Sequence, residues 1–301
     1  MGTAASAPVE KPQHITVEFD VSCSIPVEEI VNISEQAGKA IMQIYNSADH
    51  GVELKGDESP LTKADTESNR IICEGLQRVS PHVPIISEEN KTLPYSIRKG
   101  YQYCWVVDPL DGTKEFIKRN GEFTVMIGLV QGSAAVLGVV HVPVSGKTYY
   151  AVAGKGAYVR DADGTTKQIH AKEFSMTDPG LVLVGSTSHA NPSNNTAMRE
   201  FVELFESPTF NSYGSSLKLL MVAEGDAHVY PRLAPTMEWD TAAADIIVKE
   251  AGGVVLQAGK ITGKGELLED WKDVLVKELP MDYNKEDLLN PCFVVFGKRR
   301  V

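Results

Sequence analysis

The sequence predicts a layered α/β protein, and three observations carry that expectation. Apolar residues recur at helical spacing near the start of the chain, short β-prone segments separated by turn signals fill the middle, and helix and strand patterns alternate through the second half. Hydrophobic residues make up 43% of the 301 residues, ample for a buried core.

The elements follow in order. Val27 to Tyr45 reads as a long helix, with Ile30, Ile33, Ala37, Ile41 and Ile44 on one face. Residues 66–78 read as a second, with Ile71, Ile72 and Leu76 apolar. Strand patterns then fall at 83–87, 102–107, 124–131, 134–142, 148–152 and 157–159, with Asn120-Gly121 and Ser145-Gly146 as turns between some of them. Beyond a polar, turn-rich stretch at 172–180 come a buried-strand pattern at 181–185, helices at 198–205 and 217–224, and a strand at 227–230. A helix carrying Asp240 at its N-terminal end and stopped by Gly252-Gly253 follows, then strands near Val254 and Phe293. The expected division is an N-terminal unit of residues 1–175, opening with a flexible extension over 1–25, and a C-terminal unit of residues 176–301.

Chemistry concentrates in Asp108-Pro109-Leu110-Asp111-Gly112-Thr113, directly after the apolar run Cys104-Trp105-Val106-Val107. Two carboxylates three residues apart at the end of a buried strand would repel unless a cation sat between them, and hard oxygen donors suit Mg²⁺. Gly112 permits close approach of a ligand, and N–H groups of a helix or turn opening at Gly112-Thr113 can point at an anion. The same residue types also favour a surface turn, so the hexapeptide alone supports either reading. Two further segments shift the balance. Pro84-Ile85-Ile86-Ser87-Glu88-Glu89 is another apolar run ending in acids, and Glu238-Trp239-Asp240 opens the Ala-rich helix. Singly, Glu88 reads as a solvated residue and Asp240 as a helix N-cap; together with Asp108 and Asp111 they supply the acids of a two-metal site.

These three segments resemble, in order and spacing, the signatures of the lithium-sensitive, magnesium-dependent phosphatases. That superfamily includes inositol monophosphatase, inositol polyphosphate 1-phosphatase, fructose-1,6-bisphosphatase and 3'(2'),5'-bisphosphate nucleotidase. The match runs from about Lys55 to Gly253. Within it, Ser59-Pro60-Leu61-Thr62-Lys63-Ala64-Asp65, Tyr213-Gly214-Ser215-Ser216-Leu217-Lys218, Ser188-His189 and Val229-Tyr230-Pro231-Arg232 are most similar to segments of the bisphosphate nucleotidases.

The resemblance implies an α-β-α-β-α sandwich with the site between its two units. It implies that Glu88, Asp108 and the Leu110 carbonyl bind one Mg²⁺, while Asp108, Asp111 and Asp240 bind a second. Lys55, Asp57 and Glu58 either help organise a third ion or form a solvated charged turn. Two metals stabilise the attacking and leaving oxygens of an in-line displacement. Asp65 is expected to polarise Thr113, which orients the nucleophilic water. Gly112 and Thr113 are expected to cradle the scissile phosphate, with Lys218 and Arg232 left for the second phosphate or the ribose. His189 is expected near the nucleoside, or else as a packed or surface histidine. Ser215 and Ser216 are expected as substrate contacts, or as caps of the following helix.

Composition narrows the partners. With 29 basic against 40 acidic residues the net charge is −11, which argues against a nucleic-acid polymer and leaves a small polyanion held locally. Cys23, Cys73, Cys104 and Cys292 show no metal or redox spacing, no apolar run is long enough for stable membrane insertion, and no signal-peptide pattern is visible, so a cytoplasmic protein is expected. Met1-Gly2-Thr3-Ala4-Ala5-Ser6 fits the N-myristoylation pattern, which by itself gives only reversible membrane association. No interface stripe stands out, and a monomer is the expectation.

Three functions remain. The resemblance implies first a Li⁺-sensitive phosphatase of sulfur metabolism that uses two or three Mg²⁺ ions and converts 3'-phosphoadenosine 5'-phosphate to AMP and phosphate. The second is a 1-phosphatase acting on inositol 1,4-bisphosphate. The third is a catalytically silent metal- or phosphate-binding regulator, which would have no need of a water-activating Asp65–Thr113 pair.

Overall fold

The computed structural model describes residues 16–19, 23–47, 51–55, 60–186, 195–259 and 271–300. The Gly2 pattern, Asp57, Glu58, Ser188 and His189 lie outside the described residues. The chain begins with an antiparallel pair, β1 (Thr16–Phe19) and β2 (Cys23–Pro26). Sequence reading assigns this stretch to an extension, but Ile25 is fully buried in the core and ties β2 to it.

Helix α1 (Val27–Tyr45) follows at once, and its bounds match the expectation. Glu28 and Glu29 in its first turn favour the helix dipole, while Val27, Ile30, Val31, Ile33, Ala37 and Ile41 form its buried stripe. After the short pair β3 (Glu53–Leu54) and β4 (Pro60–Leu61), α2 (Lys63–Val79) starts three residues before the expected helix. The reason is a capping box: Thr62 accepts from the Ala64 N–H, and the Asp65 carboxylate accepts from the Thr62 N–H.

The middle of the chain builds a seven-stranded sheet. Its strands are β5 (Ile85–Ser87), β6 (Tyr103–Asp111), β7 (Thr124–Gln131), β8 (Ala134–Val142), β9 (Lys147–Val152), β10 (Ala157–Arg160) and β11 (Thr166–Ile169). They lie in consecutive order, with β5 parallel to β6 and every other pair antiparallel. Two short helices interrupt the run, α3 (Tyr95–Arg98) and α4 (Thr113–Lys118).

Strand β12 (Glu173–Phe174) leads to a five-stranded sheet: β13 (Val182–Ser186), β14 (Thr209–Tyr213), β15 (Val229–Arg232), β16 (Val254–Gly259) and β17 (Cys292–Phe296), in the order β14-β13-β15-β17-β16. Its helices are α5 (Thr196–Val202), α6 (Leu217–Glu224), α7 (Ala242–Glu250) and α8 (Trp271–Lys277), and a terminal β18 (Lys298–Arg299) pairs with β12.

Side-chain alternation divides the core into three and so fixes five layers. Trp105, Val107, Ile127 and Val139 face α1 and α2, whereas Cys104, Val106, Met126 and Val140 face inward with α6 and α7. From the second sheet Val184, Phe293 and Val295 close on the same helices, while Leu183, Val294 and Phe296 face α5 and α8. The result is the expected α-β-α-β-α sandwich. Strands covered on both faces need no polar alternation, which is why they read as continuous apolar runs.

Glycine sets the spacing of the middle layer. Gly128 and Gly138 are cross-strand partners on β7 and β8. A Cβ on Gly138 would stand 2.0 Å from the Ala243 carbonyl oxygen, and one on Gly128 would stand 3.0 Å from the Ala243 nitrogen. This bare patch lets the first turn of α7 rest on the sheet, close behind Asp240.

Candidate active site

Strand β6 carries the first two acids because it runs beyond its apolar core to Asp111. A register irregularity separates Asp108, opposite Met126, from Asp111, opposite Thr124. Within it the Asp108 carboxylate accepts the Leu110 N–H at 3.0 Å, and the Pro109 carbonyl accepts the Ser68 hydroxyl at 2.7 Å. Gly112, at φ +97°, then turns the chain into α4, and a Cβ there would meet the Glu122 carbonyl at 2.8 Å.

The third acid arrives from across the middle layer. Asp240 does not sit in the α-helix that follows it; it ends a 3-10 turn, Glu238–Asp240, and Thr241 is the N-cap of α7. Its carboxylate accepts the Met237 N–H at 2.8 Å, so a capping role within this turn coexists with its place in the acid group.

Carboxylate oxygens of Asp108, Asp111 and Asp240 lie within 4.8 Å of one another. Asp108 is only 2% exposed, and among the described residues no Lys or Arg is ion-paired with any of the three. Burial, then the charges of Glu88, Asp111 and Asp240, hold the Asp108 carboxyl well above the ordinary range. Burial and then the Asp111 charge also push Asp240 up. Converging like charges without a counter-ion are costly, and a bound divalent cation relieves that cost. A small set of hard oxygen donors beside an open cavity fits Mg²⁺.

Glu88, at the end of β5, lines the same cavity but stands outside this close group. Its carboxylate accepts the Lys55 ammonium at 2.7 Å, and Glu89 accepts it at 2.6 Å. Burial pulls Lys55 down, but the bonds and charges of the two glutamates outweigh it and raise its pKa. Lys55 is therefore tied to the site rather than part of a solvated turn.

Asp65 and Thr113 meet, as the resemblance implies. The Thr113 hydroxyl donates to Asp65 Oδ1 at 3.0 Å, while Oδ2 accepts the Thr62 N–H at 2.7 Å and the Thr62 hydroxyl at 2.5 Å. Burial raises the Asp65 pKa against the pull of those bonds. The Leu110 carbonyl lies 3.4 Å from the Thr113 hydroxyl.

The Tyr213–Lys218 segment closes the other side. Ser215 donates its hydroxyl, and Ser216 its N–H at 2.5 Å, to Oδ2 of Asp111. Ser216 stands at the N-cap of α6 without a side-chain capping bond; its hydroxyl pairs instead with Thr124 at 2.7 Å. The Glu122 carboxylate accepts the Gly214 N–H at 2.7 Å. Lys218, 2% exposed, donates to the Tyr213 and Ser215 carbonyls at 2.9 and 2.5 Å, and its ammonium lies 5.3 Å from the Tyr230 ring centre. Arg232 donates to the Pro235 carbonyl at 3.2 Å. Lys218 and Arg232 line one cavity of about 390 Å³ together with Glu88, Asp111, Gly112, Thr113, Ser215, Ser216 and Asp240. Thr124 and Glu122 are the residues that sequence reasoning misses. Thr124 reads as one more strand residue and Glu122 as a loop acid, and nothing local marks either.

The chain matches the family model described as the inositol monophosphatase family over residues 26–290. It is 39% identical over 270 residues to the 3'(2'),5'-bisphosphate nucleotidase CysQ of Salmonella typhimurium, covering 89% of this chain and 98% of that one. The protein of the same name from Escherichia coli strain K12 is 39% identical over 271 residues, with the same coverage. Among solved structures, CysQ from Bacteroides thetaiotaomicron, described as a bacterial member of the inositol monophosphatase family, superposes with a TM-score of 0.71 at 39% identity, covering 91% of this chain and 97% of that one.

Proposed function

The chain belongs to the inositol monophosphatase family, and from that premise we propose that it is a magnesium-dependent, lithium-sensitive 3'(2'),5'-bisphosphate nucleotidase that releases the 3'-phosphate of 3'-phosphoadenosine 5'-phosphate to give AMP. The observation that carries this reading is one cavity lined by Asp111 and Asp240 of the three-carboxylate group, by a threonine bonded to a buried aspartate, and by the cationic side chains of Lys114, Lys218 and Arg232. Identity of 39% to named bisphosphate nucleotidases across most of the chain supports the choice of substrate.

The acids Glu88, Asp108, Asp111 and Asp240, with the Leu110 carbonyl, would hold Mg²⁺, two or three ions in all. Bound Mg²⁺ supplies positive charge at the attacking and leaving oxygens. The chain's own residues do the rest. Thr113 gives its proton direction to Asp65 and so presents its oxygen lone pairs to a water, which it orients toward phosphorus; Asp65 takes up the proton that the water loses. As the P–O bond to the ribose 3'-oxygen breaks, that oxygen takes a proton from solvent water and leaves as the alcohol, and Asp65 returns its proton to solvent. Gly112 leaves room for the scissile phosphate, and Lys218 and Arg232 balance the second phosphate, with Ser215 and Ser216 shaping the wall between.

Residues 1–175 contribute the water-activating pair, most of the acids and the Gly112-Thr113 phosphate contacts, and residues 176–301 contribute Asp240 and the remaining substrate contacts. The protein acts as a cytoplasmic monomer on a small molecule. Among the described residues no helix is long and apolar enough to cross a membrane.

Phosphate release from 3'-phosphoadenosine 5'-phosphate and from inositol 1,4-bisphosphate, each with Mg²⁺ and with or without Li⁺, tests the proposal. Preferred, Li⁺-inhibited turnover of the nucleotide is expected. A large kcat/KM preference for the inositol substrate would replace it with the 1-phosphatase reading. No turnover of either would leave only a binding role, against which the Asp65–Thr113 bond already argues.

A further inference from the structure

The turn that carries Asp240 is held by a distant stretch of chain. Glu238, fully buried, turns its carboxylate away from the acid group and onto residues 284 and 285. It accepts the Asn284 N–H at 2.5 Å, the Lys285 N–H at 3.0 Å and the Lys285 ammonium at 2.6 Å. The same stretch returns to the turn further on. The Glu238 N–H donates to the Leu288 carbonyl at 2.9 Å, the Asn290 N–H donates to the Thr236 carbonyl at 2.8 Å, and the Asn290 amide donates to the Met237 carbonyl at 2.7 Å and the Thr241 hydroxyl at 3.0 Å.

Met237 joins this clamp to the acid: its carbonyl is fixed by Asn290, and its N–H is donated to the Asp240 carboxylate. The far end is anchored too. Arg98, almost wholly buried, donates to the Asn284 side chain at 2.8 Å and to the Lys285 carbonyl at 3.0 Å, and receives the Asn284 amide at 2.9 Å.

Resting on the reading of Asp240 as a metal ligand, we infer that Glu238 and Asn290 are positioning residues that hold Asp240 in place for the cation. A fully buried carboxylate spent on two backbone N–H groups and a lysine is a strong local fixture. Without it, Asp240 is anchored in a 3-10 turn of three residues that faces two other acids, and their repulsion favours its withdrawal when no cation is bound. The 284–290 stretch carries that electrostatic load, so metal affinity depends on residues that touch neither metal nor substrate. Partners behind metal ligands commonly matter at this level.

The test is calorimetric titration of Mg²⁺ into the full chain and the variants Glu238→Gln, Asn290→Ala, Lys285→Ala and Asp240→Asn, beside nucleotide KM at saturating Mg²⁺ and the melting temperature of each. Glu238→Gln and Asn290→Ala are expected to weaken Mg²⁺ binding about tenfold or more, with nucleotide KM at saturating metal unchanged. A purely structural role would lower the melting temperature and leave Mg²⁺ affinity alone, and that result overturns the inference. If both variants fail to fold, Lys285→Ala decides: it removes only the ammonium of a side chain that is 27% exposed, and an unchanged Mg²⁺ affinity there sinks the clamp. Asp240→Asn separates the two levels. Wild-type Mg²⁺ affinity in that variant removes the ligand reading itself, whereas a loss there with no loss in the clamp variants removes only the clamp.

Discussion

Ser216 donates its backbone N–H to Oδ2 of Asp111 at 2.5 Å, so one carboxylate serves both the acid group and the loop that faces the substrate. Asp111→Asn therefore removes two things. The amide loses a charge at the cation site, and it turns either an N–H toward the Ser215 and Ser216 donors or an N–H toward the cation. Turnover should fall by at least about 100-fold, beyond the range expected for a residue behind a ligand. Mg²⁺ half-saturation and nucleotide KM should rise together. Steady-state kinetics across a Mg²⁺ series checks this, and near-normal kcat would remove Asp111 from the metal set.

Lys218 tests the substrate side. Its ammonium is buried, holds two loop carbonyls and faces the cavity. Replacing a charged hydrogen-bond donor costs about 1.5–3 kcal/mol, so Lys218→Met should raise nucleotide KM roughly 10- to 100-fold with a much smaller change in kcat. Burial pushes the Lys218 pKa down to about 8. The charged form is present below that value and is lost as pH rises through it. Wild-type KM should therefore climb above about pH 8, and the Met variant should lack that climb. An unchanged KM in the variant would remove Lys218 from the phosphate contacts.

The contrast between those two residues shows what a sequence can carry. Asp108 and Asp111 are legible because both come from one strand end, and α1 and the strands Thr124–Gln131 and Ala134–Val142 are legible because period and turns mark their limits. Asp65 is legible only through its motif, since its carboxylate is engaged with Thr62 as well as Thr113 and a capping box alone explains the local pattern. Thr124 and Glu122 are silent because their roles exist only after β14 and α6 are laid beside β7. Strand Thr209–Tyr213 escapes notice because it is an edge, largely exposed, with little apolar alternation to announce it. The 3-10 turn before α7 is hidden for a related reason: Asp240 suits a cap of either helix type, and tertiary bonds from Asn290 choose between them.

Gly138 links packing to the acid group. A methyl there meets the Ala243 carbonyl at 2.0 Å, which is backbone and cannot swing aside. Gly138→Ala should push the first turn of α7 off the sheet and cost about 1–3 kcal/mol. Because Asp240 lies two residues before α7, the same shift should weaken Mg²⁺ binding. Denaturant unfolding and Mg²⁺ titration together decide it. A variant as stable as wild type, with unaltered Mg²⁺ affinity, would mean that the layer spacing does not position Asp240.

His141 gives the fold its own acid sensitivity. Thr148 donates its hydroxyl to Glu35 at 3.1 Å, so the 2.9 Å contact between Thr148 and His141 Nδ1 requires the proton on Nδ1. The other edge of the ring rests against Gly38 on α1, where a Cβ would stand 2.3 Å from its Cδ2 atom. Burial, only partly offset by the Glu35 carboxylate and reinforced by Arg160 and Lys39, lowers the His141 pKa to about 4. An unfolded histidine takes up its proton near pH 6.5, so between about 6.5 and 4 the unfolded chain binds a proton that the folded one resists. This contribution is fully present above pH 6.5 and is lost as pH falls, at a slope approaching about 1.4 kcal/mol per pH unit and a total of about 3 kcal/mol. His141→Asn keeps a donor for Thr148 without the titration. Urea unfolding at pH 7 and pH 5 should show wild type losing more stability than the variant over that interval. Equal losses would show that His141 is protonated without cost in the fold.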